Sequence, residues 1–345
     1  MQKIGVCGHF GGKKIYLDGQ TIKTKNLTDE LMRQFGEREI RIIDTYGGVK
    51  KLPLVVLKLI IMLMKCRNII ILPAQNGLNS YVRMLIFLNA FFRKNIHYVV
   101  IGGWLPEYLN NKPRLMENLK LLKGIYVETR TMKNLLEKKG FQNVLILPNF
   151  KSIQILDVHE LVYSNKKPLK LCTFSRVMKE KGIEDAIKAI EKFNRNAGEL
   201  VFELDIYGQI DGNQAEWFEK LKREFPNFIR YKGAVPAEQS VNVLKTYYAL
   251  LFPTNFYTEG IPGTIIDAYC AGIPVVCSKW ESFSDVVDDK KTGFGYKFFS
   301  QDEFMTILEY LSNNISDVNK LKLACIEKAK EYSPKAAIKN LVNQL

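Results

Sequence analysis

Histidine is scarce in this chain: three histidines, His9, His97 and His159, occur among 345 residues. They do not have the spacing of a zinc site, and no D-x-D motif is present to hold a divalent cation. The longest apolar run, Leu52 to Met64, contains Lys58 and is too short to span a bilayer. The N-terminus also lacks the apolar core of a signal peptide. We therefore expect no essential metal, no transmembrane anchor and no secretion.

Six scattered cysteines form no C-x-x-C pair: Cys7, Cys66, Cys172, Cys270, Cys277 and Cys325. Several lie in apolar runs typical of strands, and we interpret them as reduced core residues of a cytosolic protein. The chain is 47% hydrophobic and 25% charged, which is typical of soluble globular proteins. Its length of 345 residues indicates two domains.

Acidic residues are scarce in the first half only. Residues 1–163 contain 25 Lys and Arg against 12 Asp and Glu, for a net charge of +13, whereas residues 164–345 have a net charge of +1. This asymmetry indicates that the first half meets something anionic: a membrane surface, a phosphorylated substrate or nucleic acid. No nucleic-acid reader motif accompanies the charge, so we do not expect nucleic acid.

Apolar strand-like runs alternate with helix-like stretches, which predicts parallel sheets covered by helices on both faces. In the first half the predicted strands are Lys3–Cys7, Ile40–Asp44, Asn68–Leu72, His97–Ile101, Gly124–Glu128 and Val144–Leu147, and the predicted helices are Thr21–Phe35, Pro53–Cys66, Leu78–Arg93, Arg114–Leu122 and Thr131–Lys139. In the second half the predicted strands are Leu169–Phe174, Leu200–Tyr207, Phe228–Tyr231, Ala249–Phe252 and Pro274–Cys277.

The stretch from Pro148 to Pro168 interrupts this alternation and is the predicted linker. We therefore predict an α/β fold of two tandem Rossmann-like, doubly wound domains, over residues 1–160 and 161–333, with a ligand cleft between them. A terminal helix over residues 334–345 could pack on either domain, including by crossing back to the first.

The segment from Pro253 to Ser278 has the pattern of a loop and helix that bind an anion. A buried strand ends before it, a polar loop follows, and Pro262 suits the first position of a helix. The backbone N–H groups of Gly263, Thr264 and Ile265 would then be available to an anion, with little bulk in the way.

Two carboxylates flank this predicted anion site. Glu259 stands in the loop before the helix, and Asp267 lies three residues past Thr264, on the same helix face. Free amides between two carboxylates suit a ligand with hydroxyls at both ends and a diphosphate in the middle. A nucleotide sugar has this layout. The alternative is a capping carboxylate beside an ordinary amphipathic helix.

At this point the chain resembles glycosyltransferase family 4, whose members have the GT-B fold. That family has two acidic residues separated by seven others, then a small-residue helix, glycine, proline and a valine-rich strand. Here Glu259 and Asp267 are followed by Ala271–Val276. The resemblance implies that Glu259 hydrogen-bonds the transferred sugar and that Asp267 binds the ribose hydroxyls, at a position where the family usually has glutamate.

A second match to that family lies at Phe174–Ile183, the first strand-to-helix turn of the second half. Cations beside a helix N-terminus oppose the helix dipole unless an anion is bound. By resemblance, Arg176 and Lys181 neutralise the diphosphate leaving group. The alternative is that both are solvated surface cations.

The first half offers weaker candidates. The family usually has a glycine pair at the start of the first long helix, contacting donor phosphate or acceptor. We favour Gly19 and Gln20 for this position over Gly11 and Gly12, and turn formation alone is the alternative for all four.

Many relatives place a polar residue that faces the sugar after the fourth strand, where this chain has Gly102, Gly103 and Trp104. Trp104 is a candidate for stacking on a sugar ring, and a buried or interfacial tryptophan is the alternative. The segments Lys50–Lys58 and Tyr81–Lys94 mix cations with apolar residues. They suit either peripheral contact with an anionic membrane or core helices with solvated lysines.

The sequence thus predicts a hexosyltransferase-type enzyme that moves a sugar from a UDP- or GDP-sugar to an acceptor hydroxyl. The resemblance implies retention at the anomeric carbon, no metal, no cofactor beyond the donor substrate, and a role in bacterial capsule or other surface-glycan assembly. The acceptor would be a glycan or a lipid-linked glycan, and the location cytoplasmic, with peripheral membrane contact. The rival hypotheses are a nucleotide-sugar epimerase of the same fold and a non-catalytic module that binds sugar nucleotides or membranes.

Overall fold

A computed structural model describes residues 3–12, 19–47 and 52–345. The chain divides into two compact units, one formed by residues 1–152 and 332–345 and the other by residues 153–331. The division lies before the predicted boundary at residue 160, because residues after 152 are tied to the second unit. The Leu156 N–H donates to the Cys270 carbonyl at 2.9 Å. Leu161 lies so close over Gly272 that a Cβ there would meet it at 2.3 Å.

Within the described residues, the first unit contains a parallel six-stranded sheet in the order β2-β1-β3-β4-β5-β6. Its strands are β1 (Ile4–Gly8), β2 (Ile40–Asp44), β3 (Asn68–Ile71), β4 (Asn95–Val99), β5 (Gly124–Val127) and β6 (Val144–Ile146). Its helices are α1 (Gly19–Phe35), α2 (Leu52–Lys65), α3 (Leu78–Phe92), α4 (Leu105–Tyr108), α5 (Pro113–Lys120) and α6 (Arg130–Lys138).

Both faces of this sheet are covered, which is why its strands are apolar without alternation. On one side, Leu59 of α2, Val82 of α3 and Leu119 of α5 belong to one buried cluster. On the other, Leu27 of α1 and Leu341 of the terminal segment belong to a second.

The second unit contains the second parallel six-stranded sheet of the described chain, in the order β12-β11-β10-β7-β8-β9. Its strands are β7 (Leu169–Phe174), β8 (Phe202–Tyr207), β9 (Ile229–Gly233), β10 (Ala249–Phe252), β11 (Val275–Ser278) and β12 (Gly293–Tyr296). Its helices are α7 (Ile183–Ala197), α8 (Ala215–Lys222), α9 (Ser240–Leu244), α10 (Gly263–Cys270), α11 (Phe283–Val286), α12 (Gln301–Asn313) and α13 (Ile315–Ala329).

The terminal segment belongs to the first unit and forms two short helices, α14 (Pro334–Ala337) and α15 (Lys339–Val342), rather than the predicted single helix. The Asn68 side chain donates to the Leu345 carbonyl at 2.7 Å. The Asn340 side chain donates to the Ile146 carbonyl at 2.8 Å. These two bonds attach the C-terminus to strands β3 and β6.

All six cysteines are free and buried, as predicted. None of the helices in the described part of the chain is long and apolar enough to cross a bilayer. Strand β12 was not predicted, and the prediction for β4 was two residues too late, so that His97 lies inside the strand rather than at its start.

Candidate functional site

The strand order of the second unit creates a crevice at the carboxyl ends of β7 and β10. These neighbours are hydrogen-bonded in parallel, but the chain leaves β7 toward β8 and leaves β10 toward β11, on opposite sides. Ligands of open α/β sheets bind where the strand order reverses in this way. The two predicted donor motifs form the loops after these two strands, so the fold brings them together.

The close approach of these loops depends on Gly182, which ends the 3₁₀ turn Lys179–Lys181 and precedes α7. Its φ of +68° is left-handed, and an added Cβ would lie 1.8 Å from the Pro253 carbonyl oxygen. In addition, the Asn255 N–H donates to the Glu180 carbonyl at 2.8 Å. The backbones after β7 and β10 are therefore in direct contact.

This contact places Lys181 against Glu259. Lys181 Nζ forms an ion pair with Glu259 Oε1, and the two side chains are 18% and 16% exposed. The Thr254 hydroxyl donates to the same carboxylate oxygen at 3.3 Å. Lys181 Nζ also lies 5.0 Å from the centre of the Phe256 ring. The sequence predicted these two charged groups for different parts of one ligand, and the structure shows that they are neighbours.

Arg176 is more accessible. Its guanidinium lies 3.6 Å from Asp211 Oδ2, and its side chain is 43% exposed. At this exposure the pairing contributes little to stability, so Arg176 remains available to another anion. The loop that carries it is held by Gly208 after β8, where an added Cβ would lie 1.8 Å from the Ser175 carbonyl oxygen.

The N-terminus of α10 lies after the same β10 loop. Pro262 is the N-cap, with ψ of 126°, rather than the predicted first helical residue, so the helix begins at Gly263. The Ile265 N–H donates back to the Pro262 carbonyl at 3.0 Å. The first-turn amides without an acceptor among the described residues are those of Gly263 and Thr264. The Thr264 hydroxyl is buried and has no hydrogen-bond partner in the described chain.

Asp267 faces the interior of the second unit. It is 2% exposed, and the Ser240 hydroxyl at the start of α9 donates to its Oδ1 at 3.2 Å. Ser240 was not predicted, because its proximity to Asp267 follows from the packing of α9 on α10 and no local motif marks it.

In the first unit, Gly19 begins α1 and is exposed, and the Gln20 side-chain amide donates to the Leu72 carbonyl at 3.2 Å. Both residues lie at the carboxyl edge of β1 and β3, where that sheet also reverses its strand order. Gly11 and Gly12 have positive φ values of 84° and 59° and form a turn.

The carboxylate of Asp44 holds that turn, since it accepts the N–H groups of Phe10 and Gly12, both at 2.9 Å. Burial raises the pKa of Asp44, but these bonds and a third from Tyr46 outweigh it, so the pKa is lowered. The Gly12 amide is thus occupied by the protein itself.

After β4, Gly102 adopts a φ of +76° and Gly103 is buried beside it. The Trp104 indole N–H donates to the Ile101 carbonyl at 2.8 Å, and its ring packs edge-on against Tyr108 at 5.3 Å. These contacts give Trp104 a structural role in its own loop.

A buried ion pair supports the same loop and was not predicted from the sequence. Lys23 Nζ and Glu128 Oε1 are 2.5 Å apart, with side-chain exposures of 2% and 3%. Glu128 Oε1 also accepts the Gly102 N–H at 3.1 Å, and Lys23 donates to the Val100 carbonyl at 3.1 Å. Burial lowers the pKa of Lys23, and the neighbouring carboxylate partly offsets this effect.

The sequence profile described as "Glycosyl transferases group 1" matches residues 159–332, about half of the chain. An uncharacterised glycosyltransferase of Methanocaldococcus jannaschii is 28% identical over 151 residues, which are 43% of this chain and 38% of that protein. The amylovoran biosynthesis glycosyltransferase AmsK of Erwinia amylovora is 22% identical over 184 residues, 52% of this chain and 45% of that protein. The chain thus spans less than half the length of these curated relatives.

Among solved structures, Anabaena HepE in complex with UDP-glucose superposes on this chain with a TM-score of 0.74 and 11% sequence identity, and the superposition covers 99% of each chain. At this identity the likeness concerns the fold. It confirms the prediction of an α/β chain with two tandem Rossmann-like units of the GT-B type.

Proposed function

The chain belongs to the glycosyl transferases group 1 family, and on this premise we propose that it transfers a sugar from a nucleoside-diphosphate donor to an acceptor hydroxyl. The observation that carries the proposal is the ion pair between Lys181 and Glu259 where the strand order of the second sheet reverses, in the same loop that leads into the N-terminus of α10.

A diphosphate fits the part of this site formed by α10. As first-turn amides of a helix, those of Gly263 and Thr264 would donate to an anion, and the unpaired Thr264 hydroxyl would supply a further donor. Arg176 brings a planar, partly exposed cation and Lys181 a compact one. Positive charge held in place before the reaction stabilises the diphosphate as it leaves.

The family resemblance assigns the two carboxylates to the two ends of the donor: Glu259 would accept hydrogen bonds from the transferred sugar, and Asp267 would serve the ribose side. In the free protein Asp267 is buried against Ser240, so the ribose role rests on the resemblance alone. In the free protein Lys181 and Glu259 neutralise each other. When the donor binds, Lys181 turns to the diphosphate and Glu259 is released to the sugar hydroxyls, so the ion pair is exchanged for two contacts with the ligand.

We further propose retention at the anomeric carbon, without a metal or an additional cofactor. Support comes from the family resemblance and from Arg176 and Lys181, whose charges can replace that of a cation at the diphosphate.

For the donor we propose a UDP- or GDP-hexose, supported by the UDP-glucose complex of the structural neighbour HepE. For the acceptor we propose a glycan or lipid-linked glycan bound by the first unit, around Gly19, Gln20 and Gly103. The name of the relative AmsK supports a role in bacterial capsule or surface-polysaccharide synthesis. Six free, buried cysteines fit a reducing compartment, so we place the reaction in the cytoplasm.

A thermal-shift screen with UDP, GDP and their hexose conjugates tests the donor site. A diphosphate at one hundred times its dissociation constant stabilises the native state by about 2.7 kcal/mol, which raises the melting temperature by roughly 5–10 °C. Lys181→Ala should lose most of this rise, while Lys192→Ala, which changes an exposed lysine on α7, should keep it.

The absence of stabilisation by any of these nucleotides would contradict the proposal. Epimerised donor recovered after incubation would favour an epimerase. Tight binding without donor turnover, even with added glycan acceptors, would favour a non-catalytic module.

A further inference from the structure

The first unit exposes a large apolar surface on the outer sides of α2 and α3. The inner sides of these helices are buried in the core, at Leu59 and Val82 for example. The outer side chains are apolar as well, with exposed fractions of 63% for Met64, 68% for Phe87 and 75% for Phe91. We call this surface the α2–α3 face and define it by Leu54, Leu57, Ile61, Met64, Phe87 and Phe91.

These residues form one continuous surface. Those of α2 recur every three or four positions, which is the spacing of a single helix face. Phe87 and Phe91 lie one turn apart on α3, with ring centres 5.9 Å apart in an edge-on arrangement. Helices α2 and α3 pack against each other, so their outer sides lie together. Exposed apolar surfaces of this kind mark an interaction site.

The charged residues of α2, α3 and the chain between them are all cations. No aspartate or glutamate occurs between Asp44 and Glu107, whereas eight lysines and arginines do. Of these cations, Lys50 and Lys51 lie outside the described residues. The exposed ones on or next to the two helices are Lys58, Lys65, Arg67, Arg83 and Arg93. Each helix therefore has a core side, as one interpretation of these segments predicts, and an outer side that carries apolar and cationic groups.

We propose that the α2–α3 face docks on the surface of an anionic phospholipid membrane. A bilayer surface offers phosphates for the cations and an apolar layer just beneath them for the side chains. A helix with apolar and basic groups on one side therefore binds there, parallel to the membrane plane. This inference concerns a surface distinct from the donor loops and goes beyond the proposed transfer reaction.

The charge pattern favours a membrane over two other partners. A symmetric pair of copies would bring the same surface patch together with itself, so Lys58 and Lys65 would meet like charges, and neither helix carries a carboxylate to offset them. Nucleic acid would attract the cations but would leave the leucine, isoleucine and methionine side chains without a partner.

Docking would use both kinds of contact. The phenylalanines and the α2 side chains would insert at the boundary between headgroups and acyl chains, and the cations would contact lipid phosphates. Such binding weakens as salt rises, since screening acts on its charged component. Docking through the α2–α3 face would bring the first unit close to lipid-linked molecules in the membrane.

Co-sedimentation of the whole protein with vesicles tests the proposal. At low salt we expect binding to vesicles of equal parts phosphatidylglycerol and phosphatidylcholine, and at least tenfold weaker binding to phosphatidylcholine alone. Phe87→Gln with Phe91→Gln should weaken binding to the mixed vesicles at least tenfold. Lys58→Gln with Arg83→Gln should weaken it about 30-fold. All four side chains are exposed, so the variants should fold normally.

A control separates the face from the overall charge. Lys192→Gln with Lys220→Gln removes the same charge from exposed positions of the second unit and should leave vesicle binding unchanged. The phenylalanine variant should keep the thermal shift with UDP, which distinguishes failure of this proposal from failure of the donor site.

Three results would overturn the proposal. One is the absence of binding to the mixed vesicles at low salt. Another is equal weakening by the control pair, which would show that net charge alone drives binding. The third is a lipid-free dimer, detected by light scattering, that the change of Phe87 and Phe91 converts to monomer, since the face would then serve a second copy.

Discussion

Replacing Gly182 with alanine should destabilise the second unit and separate the two donor loops. Gly182 adopts a φ of +68°, which costs a residue with a side chain about 1–2 kcal/mol. The added Cβ would also lie 1.8 Å from the Pro253 carbonyl oxygen, so one backbone must move. Forcing atoms into a filled space costs about 1–3 kcal/mol. We expect a total loss of about 2–5 kcal/mol in the free energy of unfolding.

Gly198 offers a matched control in the same unit. It has the same φ of +68° at the end of α7, but an added Cβ would meet no atom within 4 Å. Gly198→Ala should therefore cost only the conformational term, about 1–2 kcal/mol. The difference between the two variants in free energy of unfolding therefore measures the cost of the close approach of residue 182 to Pro253.

Urea unfolding followed by tryptophan fluorescence measures this difference, because Trp217 and Trp280 both lie in the second unit. Gly182→Ala should also lose thermal stabilisation by UDP, since the shift displaces Lys181, whereas Gly198→Ala should retain it. Equal stability of the two variants, or full UDP stabilisation of Gly182→Ala, would refute the reasoning.

Two further predictions concern the first unit. Burial lowers the pKa of His97 from 6.5 to about 4, so the unfolded chain binds a proton in this range that the folded chain does not. The contribution of neutral His97 to the free energy of unfolding is complete above pH 6.5 and should fall by up to ~3 kcal/mol as the pH drops to about 4. His97→Gln should flatten the dependence of stability on pH in this range, and an unchanged dependence would contradict the lowered pKa of His97. Lys23→Met should cost about 3–5 kcal/mol in urea unfolding, because it removes the cation that neutralises the buried Glu128 carboxylate, and Lys23→Met with Glu128→Leu should cost less; an equal or greater loss in the double variant would rule out this cause.

Most strands and helices could be predicted because parallel sheets require long apolar runs. Strand β12 escaped prediction because two of its four residues are Gly293 and Gly295, which are rare in strands. The structure shows why a side chain would not fit at either position. A Cβ at Gly293 would lie 2.3 Å from the Val275 carbonyl oxygen, and one at Gly295 would lie 2.3 Å from the Phe283 ring.

The donor-binding motifs can be identified from the sequence, but the contacts that their residues make with one another and with other elements cannot. Lys181 and Glu259 are far apart in the sequence, and their pairing follows from β7 and β10 being neighbours in the sheet. The partnership of Asp267 with Ser240 depends in the same way on helix packing. The Lys23–Glu128 pair joins α1 to the end of β5, and nothing in the local sequence around either residue marks it.

Two features of the second unit support the proposed position of the diphosphate. Motif spacing supports a diphosphate between Arg176, Lys181 and the α10 amides. The buried, unpaired Thr264 hydroxyl is an independent structural observation at the same position.

The central claim is that this site cleaves the bond between a sugar and a nucleoside diphosphate. The most direct measurement is the release of nucleoside diphosphate from UDP- and GDP-hexoses, with and without glycan acceptors. We predict that one donor releases nucleoside diphosphate slowly without an acceptor and faster with one. Glu259→Gln should lower the release rate at least tenfold, as expected when a charged group that contacts the sugar is removed. Release at an unchanged rate in Glu259→Gln, or no release from any donor, would contradict the account.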